Sequence, residues 1–342
     1  MNTYHAILAA SMGELKQNIL ATLAYYDVMD MPLTAGEVSS WLINFEHLAD
    51  NCYSADNLQP ENRRDDIKKE LGQLFLDGSI NQVGGYYFLF GREHLVPLRL
   101  KRQKIARLKW QKAKRAIRHL RFIPYVFGVF ASGSLAISNT DELSDLDVLI
   151  IVRPSRIWLA RIFILTALSL FGVRRKGTDK IAPDKICPNH FITRTSLNIP
   201  FKSIYTAQTY CNLVPIYLRS SEIIEEFKRA NDWVIKFIFK WNIPAEPMVK
   251  RGWPEMLAAA AETILNSRLG NFFEGLARRK QSLRISQNPV TKESGGRVVF
   301  SDEQLEFHPH SIEAAVIKSY NQNLKKLGMP EFYVEQDSGL TR

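Results

Sequence analysis

The stretch 127–152, FGVFASGSLAISNTDELSDLDVLIIV, decides how the chain is read. It predicts a strand, a tight turn at Gly133 and Ser134, a short helix, a loop and a second strand that opens with Asp145-Leu146-Asp147. Successive side chains on a strand alternate faces, so Asp145 and Asp147 project from the same one. The run 148–152 is continuously apolar, as a strand buried on both faces should be. Two carboxylates beside such a strand are costly unless something pairs with them. A divalent cation of the Mg²⁺ or Mn²⁺ kind, which seeks hard oxygen ligands and accepts a substrate phosphate, suits the pair. Gly133 and Ser134, at the start of the short helix, offer backbone N–H groups and a hydroxyl that suit a phosphate.

The ordered set resembles the signature of the polymerase β-type nucleotidyltransferases. That signature has Gly, then Gly or Ser, a gap of about ten residues, and Asp-x-Asp between apolar residues on a second strand. Here Gly133 and Ser134 are followed by the ten residues 135–144 and then by Asp145-Leu146-Asp147-Val148. The motifs span 125–193. More loosely, the whole chain is similar to uncharacterised bacterial nucleotidyltransferase-domain proteins with a winged-helix-like N-terminus, a group that fixes no substrate. The resemblance implies an α/β (α+β) fold with a small mixed-sheet core. It implies transfer of a nucleoside monophosphate from an NTP, with Asp145 and Asp147 as catalytic and metal-binding residues and Gly133 and Ser134 on the NTP phosphates. The sequence departs from the family at the third strand, 185–193, where a third carboxylate usually stands and none is present. Asp179 and Asp184, just upstream, or Asn189 within the strand, are the candidates to replace it. Pro188 marks that strand as an edge or a bulge, and regular alternation puts Asn189 and His190 on opposite faces.

Working outward, 14–28, 34–43 and 65–76 read as helices, the second opened by the capping-box spacing of Thr34 and Glu37 and the third closed by Gly78. Segments 79–83 and 86–90, joined by Gly84-Gly85, read as a hairpin. Three helices and a hairpin make a winged helix-turn-helix over 1–95. Its third helix mixes Arg63, Arg64, Lys68 and Lys69 with Asp65, Asp66, Glu70 and Asp77, which is poor charge for reading a DNA groove.

The chain carries a formal charge of +10, yet 92–121 alone holds twelve Lys or Arg and one acid, Glu93. One long helix, 97–120, therefore carries the basic balance. Lys104, Arg107, Lys114, Arg115 and Arg118 fall on one face of it, as a candidate surface for nucleic acid, a protein acceptor or a triphosphate. The helix 155–171 ends in Arg174, Arg175 and Lys176, favourable to its dipole and candidates for phosphate.

With 342 residues, 46% hydrophobic and 23% charged, two or three globular domains are expected: 1–95, a nucleotidyltransferase core at 96–220, and a helical region at 221–342. Within the last two, 205–218, 222–241 and 255–282 read as helices, 297–300 and 304–307 as a short hairpin, and His308-Pro309-His310 as a turn before a helix at 311–327. Cys52, Cys187 and Cys211 are widely spaced and odd in number, which points to a reducing cytoplasm and no metal-ligand spacing. The N-terminus lacks the pattern of a signal peptide. The most apolar run, 157–173, is interrupted by Arg161 and reads as a buried helix, so no membrane association is expected. Two rival readings stand beside the enzyme. One is a degenerate core that senses nucleotide or binds nucleic acid as a regulator; the other is an antitoxin-like partner protein.

Overall fold

The computed structural model describes residues 13–45, 63–177, 179, 181–293 and 296–331. Cys52, the polar loop expected at 45–60 beyond residue 45, and the tail beyond residue 331 lie outside these. The fold is mixed α/β. Its centre is strand β5 (Leu146–Val152), paired antiparallel with β4 (Val126–Ala131) and parallel with β6 (Ile186–Thr193). β7 (Val214–Leu218) extends the sheet beyond β4, while β9 (Gln304–His308) and β8 (Arg297–Phe300) extend it beyond β6. The order is β7-β4-β5-β6-β9-β8.

Alternation divides β5 between two cores. Leu146, Val148, Ile150 and Val152 pack with Ala113 and Ile117 of α4 (Leu95–Ile117) and Trp158 and Ile164 of α6 (Ile157–Leu170). Leu149 and Ile151 belong to the other core, with α7 (Ile204–Cys211), α8 (Glu222–Ala230) and α11 (Glu313–Lys326). The apolar run of β5 is thus buried on both faces, as its sequence requires.

The second core also takes in the N-terminal unit. Helix α1 (Glu14–Asp27) is buried on nearly every side, and its Asn18 and Thr22 side chains accept hydrogen bonds from the Phe45 and Ile43 backbone N–H groups at 2.8 and 2.9 Å. The capping box forms at the start of α2 (Ala35–Ser40), where Thr34 and Glu37 exchange hydrogen bonds. In α3 (Arg63–Leu76), Ile67, Leu71 and Leu74 are buried, whereas Phe75 is exposed. β1 (Leu33–Thr34) joins the hairpin of β2 (Ile80–Val83) and β3 (Tyr86–Leu89) in the order β1-β3-β2. Gly84 and Gly85 take φ of +59° and +83°, the left-handed pair that a two-residue hairpin turn demands.

Several expected elements end differently. The helix expected over 205–218 stops at Cys211, and 214–218 becomes β7, because Pro215, Ile216 and Leu218 can be buried beside β4. The helix expected over 222–241 is α8 followed by a 3-10 turn, Asp232–Lys236. Asn231 breaks it, and its buried side chain bonds the Leu197 carbonyl and the Ile199 N–H instead. The helix expected over 255–282 is two, α9 (Pro254–Leu265) and α10 (Arg268–Ser286), with Asn266 and Ser267 between them. The hairpin at 297–308 forms and joins the main sheet, so the expected helical region also supplies two strands. Among the described residues no helix is long and apolar enough to cross a membrane.

Candidate functional site

The turn after β4 brings the candidate residues together. Ala131 pairs with Val148, and the Ser132 N–H donates to the Asp147 carbonyl at 3.1 Å, so the chain leaves β4 directly beside the start of β5. Gly133 then takes φ of +62° and opens the short helix α5 (Gly133–Ala136). A Cβ at this position would stand 3.1 Å from Asp147 Oδ2. Glycine therefore lets the backbone touch the carboxylate, and Ser134, half-buried, follows immediately.

The loop to β5 is held from two sides. Asp141 Oδ1 accepts from the N–H groups of Leu143 and Ser144 at 2.9 and 2.8 Å and from the Ser144 hydroxyl at 2.7 Å. The Ser144 hydrogen bond comes first among the causes that hold the Asp141 carboxyl below its ordinary range. From α4, the buried Lys109 ammonium donates to the Ser144 carbonyl at 2.6 Å and to Asp184 at 3.0 Å. Lys112 also bonds Asp184. The helix that carries the cations is thereby fastened to the residue preceding Asp145.

Asp145 and Asp147, both half-buried, face a thiol. One ligand atom from each of Asp145, Asp147 and Cys187 lies within 4.8 Å of the others. Cys187 is opposite Asp147 in the parallel β5–β6 ladder. The register then slips: Asp147 pairs with Cys187 but Leu149 with His190, leaving two residues of β6, Pro188 and Asn189, against Val148. This is a bulge on an interior strand, not an edge. It corrects the expected alternation, because the extra residue turns Asn189 towards the carboxylates as well. Asn189 Nδ2 donates to Asp147 Oδ1 at 2.7 Å. His190 packs beneath, buried, with Nδ1 2.7 Å from the Tyr210 hydroxyl and Nε2 3.1 Å from Gln304. Burial, with Arg297 adding to it, lowers its pKa to about 3, so it is a neutral core residue.

The electrostatics are those of a crowded anionic pair. Burial first, and the Asp145 carboxylate second, push Asp147 up to about 7 against the opposing pull of Arg175 and Asn189. Burial pushes the Cys187 thiol up as well, with both carboxylates adding to it. Arg175 supplies the compensating charge: its Nη1 bonds Asp145 Oδ2 and lies 3.9 Å from Cys187 Sγ.

Thus Gly133, Asp145, Asp147, Cys187, Asn189 and Arg175 converge, with Ser134 next to Gly133 on the same turn. Asp184 does not join them, since Lys109 and Lys112 hold it, and Asp179 accepts from the Lys176 N–H in its own loop. Arg174 reaches Ser169 Oγ at 3.3 Å instead. Lys104, Arg107, Lys114 and Arg115 on α4, and Arg118 just beyond its end, are all exposed. Sequence reasoning missed Cys187, whose spacing to the carboxylates exists only through strand pairing. It also missed Lys109, whose partners Ser144 and Asp184 lie 35 and 75 residues further along the chain. His308 ends β9 and is 3.7 Å from Glu306, outside the carboxylate group. Comparison with known protein families, with curated proteins and with solved structures finds no match in any of the three.

Proposed function

We propose that this chain is a metal-dependent nucleotidyltransferase, binding an NTP at the Asp145–Asp147 pair and transferring its nucleoside monophosphate to an acceptor hydroxyl. The observation that carries the reading is the contact of the Gly133-Ser134 turn with Asp147. A phosphate-sized anion at that turn lies against carboxylates that repel it unless a cation stands between them. The donor set fits Mg²⁺ or Mn²⁺: two carboxylates are the hard oxygen ligands such a cation seeks, whereas the Cys187 thiol is a soft ligand that it does not favour. A bound cation would supply charge neutralisation of the triphosphate and a more acidic acceptor hydroxyl.

The chain's own residues have separate tasks. Asp145 and Asp147 would hold the metal, and Asn189 fixes the rotamer of Asp147. The backbone of Gly133 and the Ser134 hydroxyl orient phosphate oxygens. Arg175 balances Asp145 in the free protein, and with a cation held by the carboxylates it would be available to a phosphate. Lys109 holds the start of β5 in position. In the same proposal, strands β4 to β6 are the small nucleotidyltransferase core, the N-terminal helices with β1-β3-β2 are a winged helix, and the protein works in the cytoplasm.

Calorimetry with each NTP in Mg²⁺ or Mn²⁺, followed by transfer of label from α-labelled NTP into a cell extract, tests the reading. The Asp145→Asn, Asp147→Asn double variant should lose metal-dependent binding and transfer together; unchanged affinity in that variant sinks the proposal. A second reading has its own observation. Asn189 and Cys187 stand on β6 where a third acid is usual, which favours a module that binds nucleotide without transferring it. Binding without any labelled product would select it.

A further inference from the structure

A second surface lies beyond the C-terminal half of α4. The helix passes into a 3-10 turn, Arg118–Phe122, and segment 248–253 runs alongside. Between them is a groove of about 510 Å³ lined by Gln111, Lys114, Arg115, Arg118, Arg121 and Lys250, with Met248 and Val249 as its floor. None of these five cations has a carboxylate within ion-pair distance among the described residues. The groove is built rather than incidental. Val249 bridges to Tyr217 of β7, and Arg121 Nη1 donates to the Lys250 carbonyl at 2.7 Å, which pins the segment and leaves the Lys250 ammonium outward. The next acid along the chain, Glu255, is turned inward and accepts from the Gly252 N–H at 2.8 Å.

Aromatic side chains adjoin the cations. Trp253 is 65% exposed and meets Phe122, itself 37% exposed, edge to face at 5.2 Å. An exposed indole beside a cationic groove without carboxylate partners has little structural purpose. It wastes about 2 kcal/mol or more of burial that a large apolar side chain could supply. Cations that follow a backbone, next to π-faces on which unpaired bases stack, are the chemistry of single-strand recognition. Lys114 and Arg118 are one helical turn, about 6 Å, apart, a step that an extended strand can follow phosphate by phosphate. A duplex would present phosphates but no free base to Trp253.

We propose that this face, from Lys114 through Phe122 and Lys250 to Trp253, binds single-stranded RNA. The proposal goes beyond the nucleotide site and does not depend on it. If both hold, the RNA is led along the helix whose Lys109 and Lys112 fasten the edge of that site.

The test is fluorescence anisotropy of a labelled 20-nucleotide single-stranded RNA of mixed sequence with the full chain. It is done in EDTA without NTP, so its failure is separate from failure of the carboxylate site. Affinity should fall with salt with a log–log slope of about −3, from four or five phosphate contacts at about 0.7 each. Lys114→Gln, Arg115→Gln, Arg118→Gln together should reduce the slope by about 2. Trp253→Ala should weaken binding about tenfold with the slope kept, and Trp253→Phe should restore most of it. Circular dichroism keeps any unfolded variant out of the comparison, and the exposure of all four residues makes folding the expected result. No binding at low salt, binding indifferent to both sets of variants, or equal binding of duplex overturns the proposal. So does binding of phosphatidylserine vesicles without RNA, which would make the face a membrane contact.

Discussion

Asp147→Asn should stabilise the metal-free protein at alkaline pH. The carboxyl is pushed from 3.8 up to about 7, chiefly by burial and then by Asp145. Its folded pKa lies above the unfolded one, so the proton favours folding. The contribution is fully present below about pH 4 and is lost as pH rises through 7. At pH 8 the wild type carries the whole cost of the bare charge. Three units at about 1.4 kcal/mol each set a ceiling of about 4 kcal/mol. The group is half-buried and coupled to Arg175 through Asp145, so solvent screening brings the expected gain to about 1–3 kcal/mol. Asparagine keeps the Oδ1 that accepts from Asn189 and removes only the charge. Thermal unfolding in EDTA should show the variant about 1–4 °C above wild type at pH 8 and level with it at pH 4. Adding Mg²⁺ at pH 8 should raise the wild type and leave the variant where it was. A variant less stable than wild type at pH 8 in EDTA would refute the reasoning, since the carboxylate would then be fully compensated without metal.

Gly133→Ala should cost about 1–2 kcal/mol in urea denaturation, because an L residue pays that to hold φ near +62°. It should also weaken Mg²⁺ binding in calorimetry, as the new methyl meets Asp147 Oδ2 at 3.1 Å. Lys109→Met should destabilise by about 3 kcal/mol, measured the same way, since the Glu142 and Ser144 carbonyls and Asp184 lose a buried ammonium. Arg175→Gln should tighten Mg²⁺ alone by about tenfold, because a charge-assisted hydrogen bond of about 1.5 kcal/mol no longer has to be broken at Asp145. The same variant should loosen NTP in the presence of Mg²⁺; tighter binding of both would remove Arg175 from the phosphates.

The parts of the chain that local physics decides were readable in its sequence. Continuous burial of β5, the Thr34–Glu37 cap, the Gly84-Gly85 turn and the one-sided cations of α4 each follow from residues that are neighbours along the chain. The failures share another cause. Residues 214–218 contain no strand signal stronger than the helical pattern before them, and β4 provides the pairing that decides. The arrangement around the carboxylates was hidden in the same way. Asp147 meets Cys187 only because β5 and β6 are parallel in that register, forty residues apart in sequence. Pro188 gave a true warning with two meanings, an edge or a bulge. β9, supplied from more than a hundred residues downstream, decides between them by covering the edge. Pro188, which has no N–H to offer, falls in the bulge of β6 against Val148, and a bulge shifts the pleat by one residue. That shift brings Asn189 to Asp147 and leaves His190 to the core, so an amide that neither titrates nor carries charge holds the carboxylate. A side chain in this place can orient Asp147 but cannot take a proton from an acceptor. Whatever base assists the proposed transfer must therefore come from the acceptor's own surroundings or from Asp145 and Asp147 themselves.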